Sequence, residues 1–231
     1  VAGSTRYLIG ALSGWAFSDR RRLCLDTWFS DAMACGMDAV FLMGEPNVKQ
    51  AERCGPLLIL PCHDAYNTLP MRTWQFIRWA IHRDDWDYLF KCDDDTYVAA
   101  SRLASYDPQG RDYIGAEWRS GVNYGSGGAG YFLSRRAAEI VITKPLAPLG
   151  AEDALIGERM RENRIPLTLE PRLVPWGSDA RRPQPDNDLI TAHKFADSLK
   201  RLHGNEEAQR LAANLWQRTH EQIGLAFSEA S

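Results

Sequence analysis

An α/β fold, with a mostly parallel central sheet flanked by helices, is what this sequence predicts, and two observations carry that expectation. Short apolar runs of strand length alternate with runs of helical period through most of the chain, the pattern of strands crossing over through helices. The composition is that of a globular protein: of 231 residues, 45% are hydrophobic and 25% charged. That length suffices for one large domain with its own core and excludes a disordered or fibrous chain.

Each element follows from local pattern. Tyr7–Leu12 reads as a strand, and Leu23–Ala34 has helical length, with Ser18 or Asp19 as its cap. Ala39–Met43 and Leu57–Leu60 are short apolar runs bounded by Gly and Pro, which favours buried strands. Leu69–His82 spaces Leu69, Thr73, Phe76, Ile77 and Ala80 along one helical face. Tyr88–Cys92 is a strand that runs into an acidic turn, where open α/β sheets place their ligands. Ser120–Gly130 holds five glycines and feeds a strand at Tyr131–Ser134, followed by a helix from Arg135. Glu152–Asn163 reads as a helix, Pro166–Ser178 as extended, 179–187 as a loop, and Phe195–Ile223 as strongly helical. With no internal repeat and no linker, residues 1–231 form a single domain.

Charge and cysteine usage bound the function. There are 27 Lys+Arg against 30 Asp+Glu, a net charge of −3, which argues against a broad nucleic-acid-binding face. No apolar run approaches the roughly 20 residues of a membrane-spanning helix, and the sequence opens on Val1 with no visible signal peptide. The five cysteines lack CxxC spacing, and no Asn-x-Ser/Thr acceptor occurs. Both lean toward a reducing compartment and a cytoplasmic protein.

Several constellations could carry chemistry. Asp93-Asp94-Asp95 crowds three carboxylates that repel one another unless solvent, a cation or donors compensate. It reads either as a solvated turn or as hard oxygen ligands for Mg²⁺ or Mn²⁺ bridging to a diphosphate. Gly125–Gly130 matches GxGxxG, yet it precedes a strand instead of following one, so the dinucleotide reading fails. What survives is close backbone approach, either to a ligand or within a tight loop. Asp153, at the start of a helix, is a cap or a general base. His193 alone is a structural histidine or a ligand. Arg20-Arg21-Arg22 is a surface charge cluster or a phosphate contact. Of eight tryptophans, Trp118 and Trp176 lie in loop-rich segments where an indole can stack on a sugar ring.

In order along the chain, Leu25–Ser30, Phe90-Lys91-Cys92-Asp93-Asp94-Asp95-Thr96-Tyr97-Val98, Ser126–Tyr131, Glu152–Gly157 and His193 resemble the β-1,3-glycosyltransferase family of fringe and core 1 galactosyltransferase. The resemblance spans Tyr7 to His193. It implies a GT-A fold, a UDP-sugar donor, Mn²⁺ (or Mg²⁺), a glycan, glycoprotein or other hydroxyl acceptor, and inversion at the anomeric carbon. By motif, Asp95, Asp93 and His193 become metal ligands, Asp93 and Asp94 part of the donor site, and Asp153 the base. Gly127 and Gly128 would line the sugar site, with Ser13 and Arg22 reaching the nucleotide. Residues 1–100 then form the nucleotide-sugar half, 101–195 the acceptor half and 195–231 a helical tail. The same resemblance makes the Golgi lumen the alternative location. The competing readings are a retaining transferase on this fold and a non-catalytic nucleotide-sugar or glycan-binding module.

Overall fold

Every residue of β1 (Tyr7–Leu12) is buried, as a strand covered on both faces requires. Its side chains alternate: Ile9 and Ala11 enter one core with Trp28, Phe41, Phe90 and Phe132, while Leu8 and Leu12 enter the other with Phe76, Trp86 and Leu133. The computed structural model describes residues 5–148, 150–175 and 188–193, with Gln217, His220 and Glu221. The predicted C-terminal helix Phe195–Ile223, Trp176 and the loop 179–187 therefore lie outside the described residues, apart from those last three positions.

After β1 come α1 (Ser18–Cys24) and α2 (Ser30–Ala34), joined through Leu25–Phe29. The sequence predicted one helix over Leu23–Ala34 capped by Ser18 or Asp19. The structure starts it at Ser18, and the residue at the cap position, Phe17, makes no side-chain capping bond. The helix breaks at Thr27 (φ −131°, ψ −112°), and Trp28 and Phe29 beside this break are buried. Next are β2 (Asp38–Gly44), β3 (Glu52–Cys54), β4 (Leu57–Leu60) and α3 (Leu69–Ile81). Then follow β5 (Tyr88–Asp93), β6 (Thr96–Val98), α4 (Ala100–Ala104), β7 (Tyr113–Gly115), β8 (Tyr131–Ser134) and α5 (Arg135–Ile142). The last described elements are α6 (Glu152–Glu162), β9 (Thr168–Leu169), β10 (Leu173–Val174) and β11 (Thr191–His193).

The main sheet has eight strands in the order β3-β4-β2-β1-β5-β8-β7-β9. Strands β4, β2, β1 and β5 run parallel; beyond β5 the sheet turns mixed, because β8 pairs antiparallel with both β5 and β7. Close packing on the α3 side relies on Gly10 of β1, where a Cβ would lie 2.5 Å from the Phe76 ring. A second sheet, β10-β11-β6, lies beside the first. Its pairing sets His193 opposite Thr96, next to the acidic turn. Since the parallel strands end along one edge, Ser13 after β1 and Asp94 after β5 meet there, at the position where α/β sheets bind ligands. No helix among the described residues is long and apolar enough to cross a membrane.

Candidate active site

A cleft of about 710 Å³ opens along that edge, and Ser13, Asp93, Asp94, Asp95, Asp153 and His193 all line it. The acidic triplet divides its labour because the chain leaves the strand after Asp93 and turns at Asp94 and Asp95, which sends the three side chains in different directions. Asp93 closes β5 and Asp95 lies in the turn; His193 Nε2 is 3.2 Å from Asp95 Oδ1 and 3.8 Å from Asp93 Oδ2. One ligand atom from each of the three residues falls within 4.8 Å of the others. Asp94 turns the other way and is buried. It accepts the Ser13 hydroxyl at 2.6 Å and Arg20 at 3.2 Å. Burial pushes its carboxyl up to about 6, against the Ser13 and Arg20 contacts, which favour the anion. Asp94 and Ser13 are thus paired to each other at the cleft wall, and Arg20 spans Asp94 and Asp95.

Arg22 does not reach this site. It sits on the outer side of α1, where its side chain is exposed and paired with Asp26 one helical turn on. Of the three consecutive arginines, Arg20 lines the cleft, and Arg21 donates to the Ser13 hydroxyl. The helical period separates them, since consecutive residues do not share a face.

The glycine-rich loop forms the opposite wall. A Cβ on Gly128 would lie 2.0 Å from His193 Cε1, and one on Gly127 would lie 2.8 Å from Glu152 Oε2 and 3.2 Å from Asp153 Cβ. The two glycines therefore admit, respectively, the histidine and the start of α6. Thr96 and Thr191 hydroxyls hold the loop by donating to the carbonyls of Gly128 and Ala129. Asp153 does not cap α6, whose cap residue is Ala151. Its Oδ2 instead accepts the Gly127 N–H at 3.0 Å and its Oδ1 the Ala154 N–H at 2.9 Å.

Beneath this loop lies a buried network that the motifs alone did not single out. Lys91 of β5 is 2.9 Å from Glu152 Oε2 and 3.1 Å from Asp93 Oδ1, and Tyr131 donates to Glu152 Oε1. Burial works against the ammonium, yet the Asp93 and Glu152 carboxylates outweigh it and hold its pKa above the ordinary lysine value. A charged residue inside the apolar run Tyr88–Cys92 was the available signal, because buried lysines require partners. On the other side, Asp64 is engaged by Arg72 at 2.7 Å and by the Trp15 N–H at 2.7 Å. Trp118 sits at the cleft with its indole N–H donating to the Tyr124 hydroxyl.

The donor set suits a hard divalent cation. Two carboxylates supply anionic oxygens, and both His193 ring nitrogens are buried with no hydrogen-bond partner among the described residues. An imidazole beside two carboxylates favours Mn²⁺ over Mg²⁺, since Mg²⁺ prefers all-oxygen shells.

Residues 19–116 match the Galactosyltransferase family model. The segment contains the acidic triplet and Arg20; Asp153 and His193 lie beyond it. A glycosyltransferase involved in glycosylation of the major capsid of PBCV-1 superposes over 90% of this chain and 99% of its own, with a TM-score of 0.51 at 12% identity. The fold is that of a GT-A glycosyltransferase. The galactosyltransferase match makes glycosyl transfer the enzyme class of the chain. The catalytic domain of Drosophila beta1,4-galactosyltransferase 7, complexed with xylobiose, is also similar (15% identity, 76% of this chain, 67% of that one, TM-score 0.45). So is a complex of the Drosophila protein with manganese, UDP-Gal and xylobiose (14% identity, 83% and 71%, TM-score 0.45).

Proposed function

We propose that the cleft transfers a hexose or N-acetylhexosamine from a UDP-sugar to an acceptor hydroxyl, with inversion at the anomeric carbon and formation of a β-1,3 bond, as in fringe-like enzymes. The observation that carries this reading is the shared cleft: Asp153 and the Asp93–Asp95–His193 cluster face it from either side of Gly127–Gly128. Among the described residues, five carboxylates line the cleft. Three belong to the acidic triplet, and Asp64 is engaged by Arg72 and Trp15. Among the described residues that leaves Asp153 as the base, and one base suits a single in-line displacement.

Asp93, Asp95 and His193 would hold the cation, which when bound neutralises charge developing on the diphosphate leaving group. Each Asp153 oxygen accepts one backbone N–H, which fixes the carboxylate at the cleft and leaves each oxygen a lone pair for the acceptor hydroxyl. As the acceptor oxygen bonds to the anomeric carbon and the bond to the diphosphate oxygen breaks, the hydroxyl proton passes to Asp153. General-base assistance of this kind contributes about 10²–10⁴-fold. Arg20, at the same edge, adds positive charge beside the diphosphate. Trp118 offers an aromatic surface suited to the acceptor sugar.

The test is a panel of nucleotide sugars with and without Mn²⁺, read by released diphosphate and by the anomeric configuration of the product. Asp153→Asn is expected to lower transfer by about 10²–10⁴-fold while donor binding persists. Near-wild-type turnover refutes the base assignment, and a product with retained configuration refutes inversion.

A further inference from the structure

We infer that Lys91 is a positioning residue for this reaction, the strut that fixes the base Asp153 relative to the cation-binding turn; the inference rests on the glycosyl-transfer reading above. An ammonium has three N–H bonds, and Lys91 directs them to acceptors on three different elements. These are Asp93 Oδ1 at the end of β5 (3.1 Å), the Gly127 carbonyl in the glycine-rich loop (3.1 Å) and Glu152 Oε2 at the start of α6 (2.9 Å). Each acceptor adjoins a working part of the site. Asp93 is itself a cation ligand. Gly127 donates its own N–H to Asp153 Oδ2 at 3.0 Å, so the residue that Lys91 grips by its carbonyl is the one that orients the base by its amide. Glu152 immediately precedes Asp153 on α6, and its second oxygen is held by Tyr131.

The assembly is dry. Lys91 is 3% exposed and Glu152 6%, so both contacts act at low dielectric, where a missing partner is not replaced by water. The space is also closed. A Cβ on Gly127 would come within 3.0 Å of Lys91 Nζ and 2.8 Å of Glu152 Oε2. Lys91 does not itself line the cleft, whereas its partner Asp93 does; it acts through its three neighbours.

Lys91→Met alone strands the Glu152 charge in the core and is expected to cost stability as well as activity, which would not separate scaffold from positioning. The informative variant is Lys91→Met/Glu152→Gln, which removes both buried charges. Buried ion pairs replaced together cost little, so its melting temperature is expected to return to near the wild-type value. Partners that orient a site's working groups are typically worth about 10–100-fold. Accordingly kcat is expected to stay at least about tenfold low, with donor KM changed by less than about threefold. Faster amide exchange at Gly127 is the accompanying sign that the loop has been released. If kcat returns to within tenfold of wild type along with the melting temperature, Lys91 is only scaffold and the inference fails. Should the paired variant not fold, Glu152→Gln carries the test: at least about tenfold loss of kcat at an unchanged melting temperature supports the strut, and a smaller loss overturns it. Wild-type protein run on the same donor panel separates the two levels. No turnover with any donor refutes glycosyl transfer itself, whereas equal turnover by wild type and variant refutes only the role of Lys91.

Discussion

Replacing Gly128 by alanine tests the proposed cation site without replacing any of its ligands. The added methyl would lie 2.0 Å from His193 Cε1, 2.3 Å from Nδ1 and 2.4 Å from Nε2, whereas ordinary contacts begin near 3.4 Å. The imidazole must therefore retreat by about 1.4 Å, the gap between those distances. Metal–ligand distances tolerate only about 0.2 Å, so the ring leaves the coordination shell. A loss of about tenfold or more in Mn²⁺ affinity follows, equivalent to about 1.4 kcal/mol per decade. Thermal shift reads this directly. At a Mn²⁺ concentration of about 100 times the wild-type Kd, binding stabilises the fold by about 2.7 kcal/mol. That raises the melting temperature by roughly 5–11 °C at about 2–4 °C per kcal/mol. A tenfold weaker site gives about 1.4 kcal/mol at the same concentration, and a hundredfold weaker one about 0.4 kcal/mol. The Mn²⁺-dependent shift should thus fall by half or more, and His193→Ala should behave alike. A Gly128→Ala protein with the full wild-type shift would refute the assignment of His193 to the cation.

Asp95→Ala should likewise reduce the Mn²⁺-dependent shift and weaken metal-dependent UDP binding; unchanged binding in a calorimetric titration would argue against Asp95 as a ligand. Gly10→Ala forces a methyl to within 2.5 Å of the Phe76 ring and is expected to cost about 1–3 kcal/mol by overpacking. A wild-type melting temperature for this variant would refute the packing argument. Burial favours the neutral form of Glu170, but the Arg172 contacts prevail and hold its carboxyl below the ordinary value. On acidification the unfolded chain therefore takes up this proton first, so the stability is present at neutral pH and lost as pH falls below the ordinary glutamate range. Glu170→Gln should flatten the acid limb of a melting-temperature profile, by less than about 1 kcal/mol because Arg172 is partly exposed; a steeper acid limb would contradict the sign.

The parallel half of the fold was legible because β1 and β2 are buried on both faces and read as apolar runs, β4 is a short apolar run with one face half-buried, and β5 is apolar but for Lys91 before its closing Asp93. Elements of three residues were not. Thr96–Val98 and Tyr113–Gly115 are too short to show a period, and Thr191–His193 is defined by its pairing with Leu173–Val174 on one side and Thr96–Val98 on the other. The same divide runs through the site. Asp93–Asp95 and the loop glycines stood out by composition and Asp153 through the family resemblance, whereas choosing Arg20 over Arg22 required knowing which face of α1 turns inward. Lys91 carried a readable clue in its apolar surroundings. Its three acceptors could not be read, since they come from separate elements that only the folded chain brings together.

The β6–β11 pairing also dictates when the site can come into being. Two of the three side chains proposed to hold the cation leave the ribosome roughly a hundred codons before the imidazole does. A nascent chain arrested before Thr191 can complete the parallel strands yet still lacks the group that fills the space left by Gly128. A cation held by all three side chains would therefore have to wait for the last of these short strands to be made.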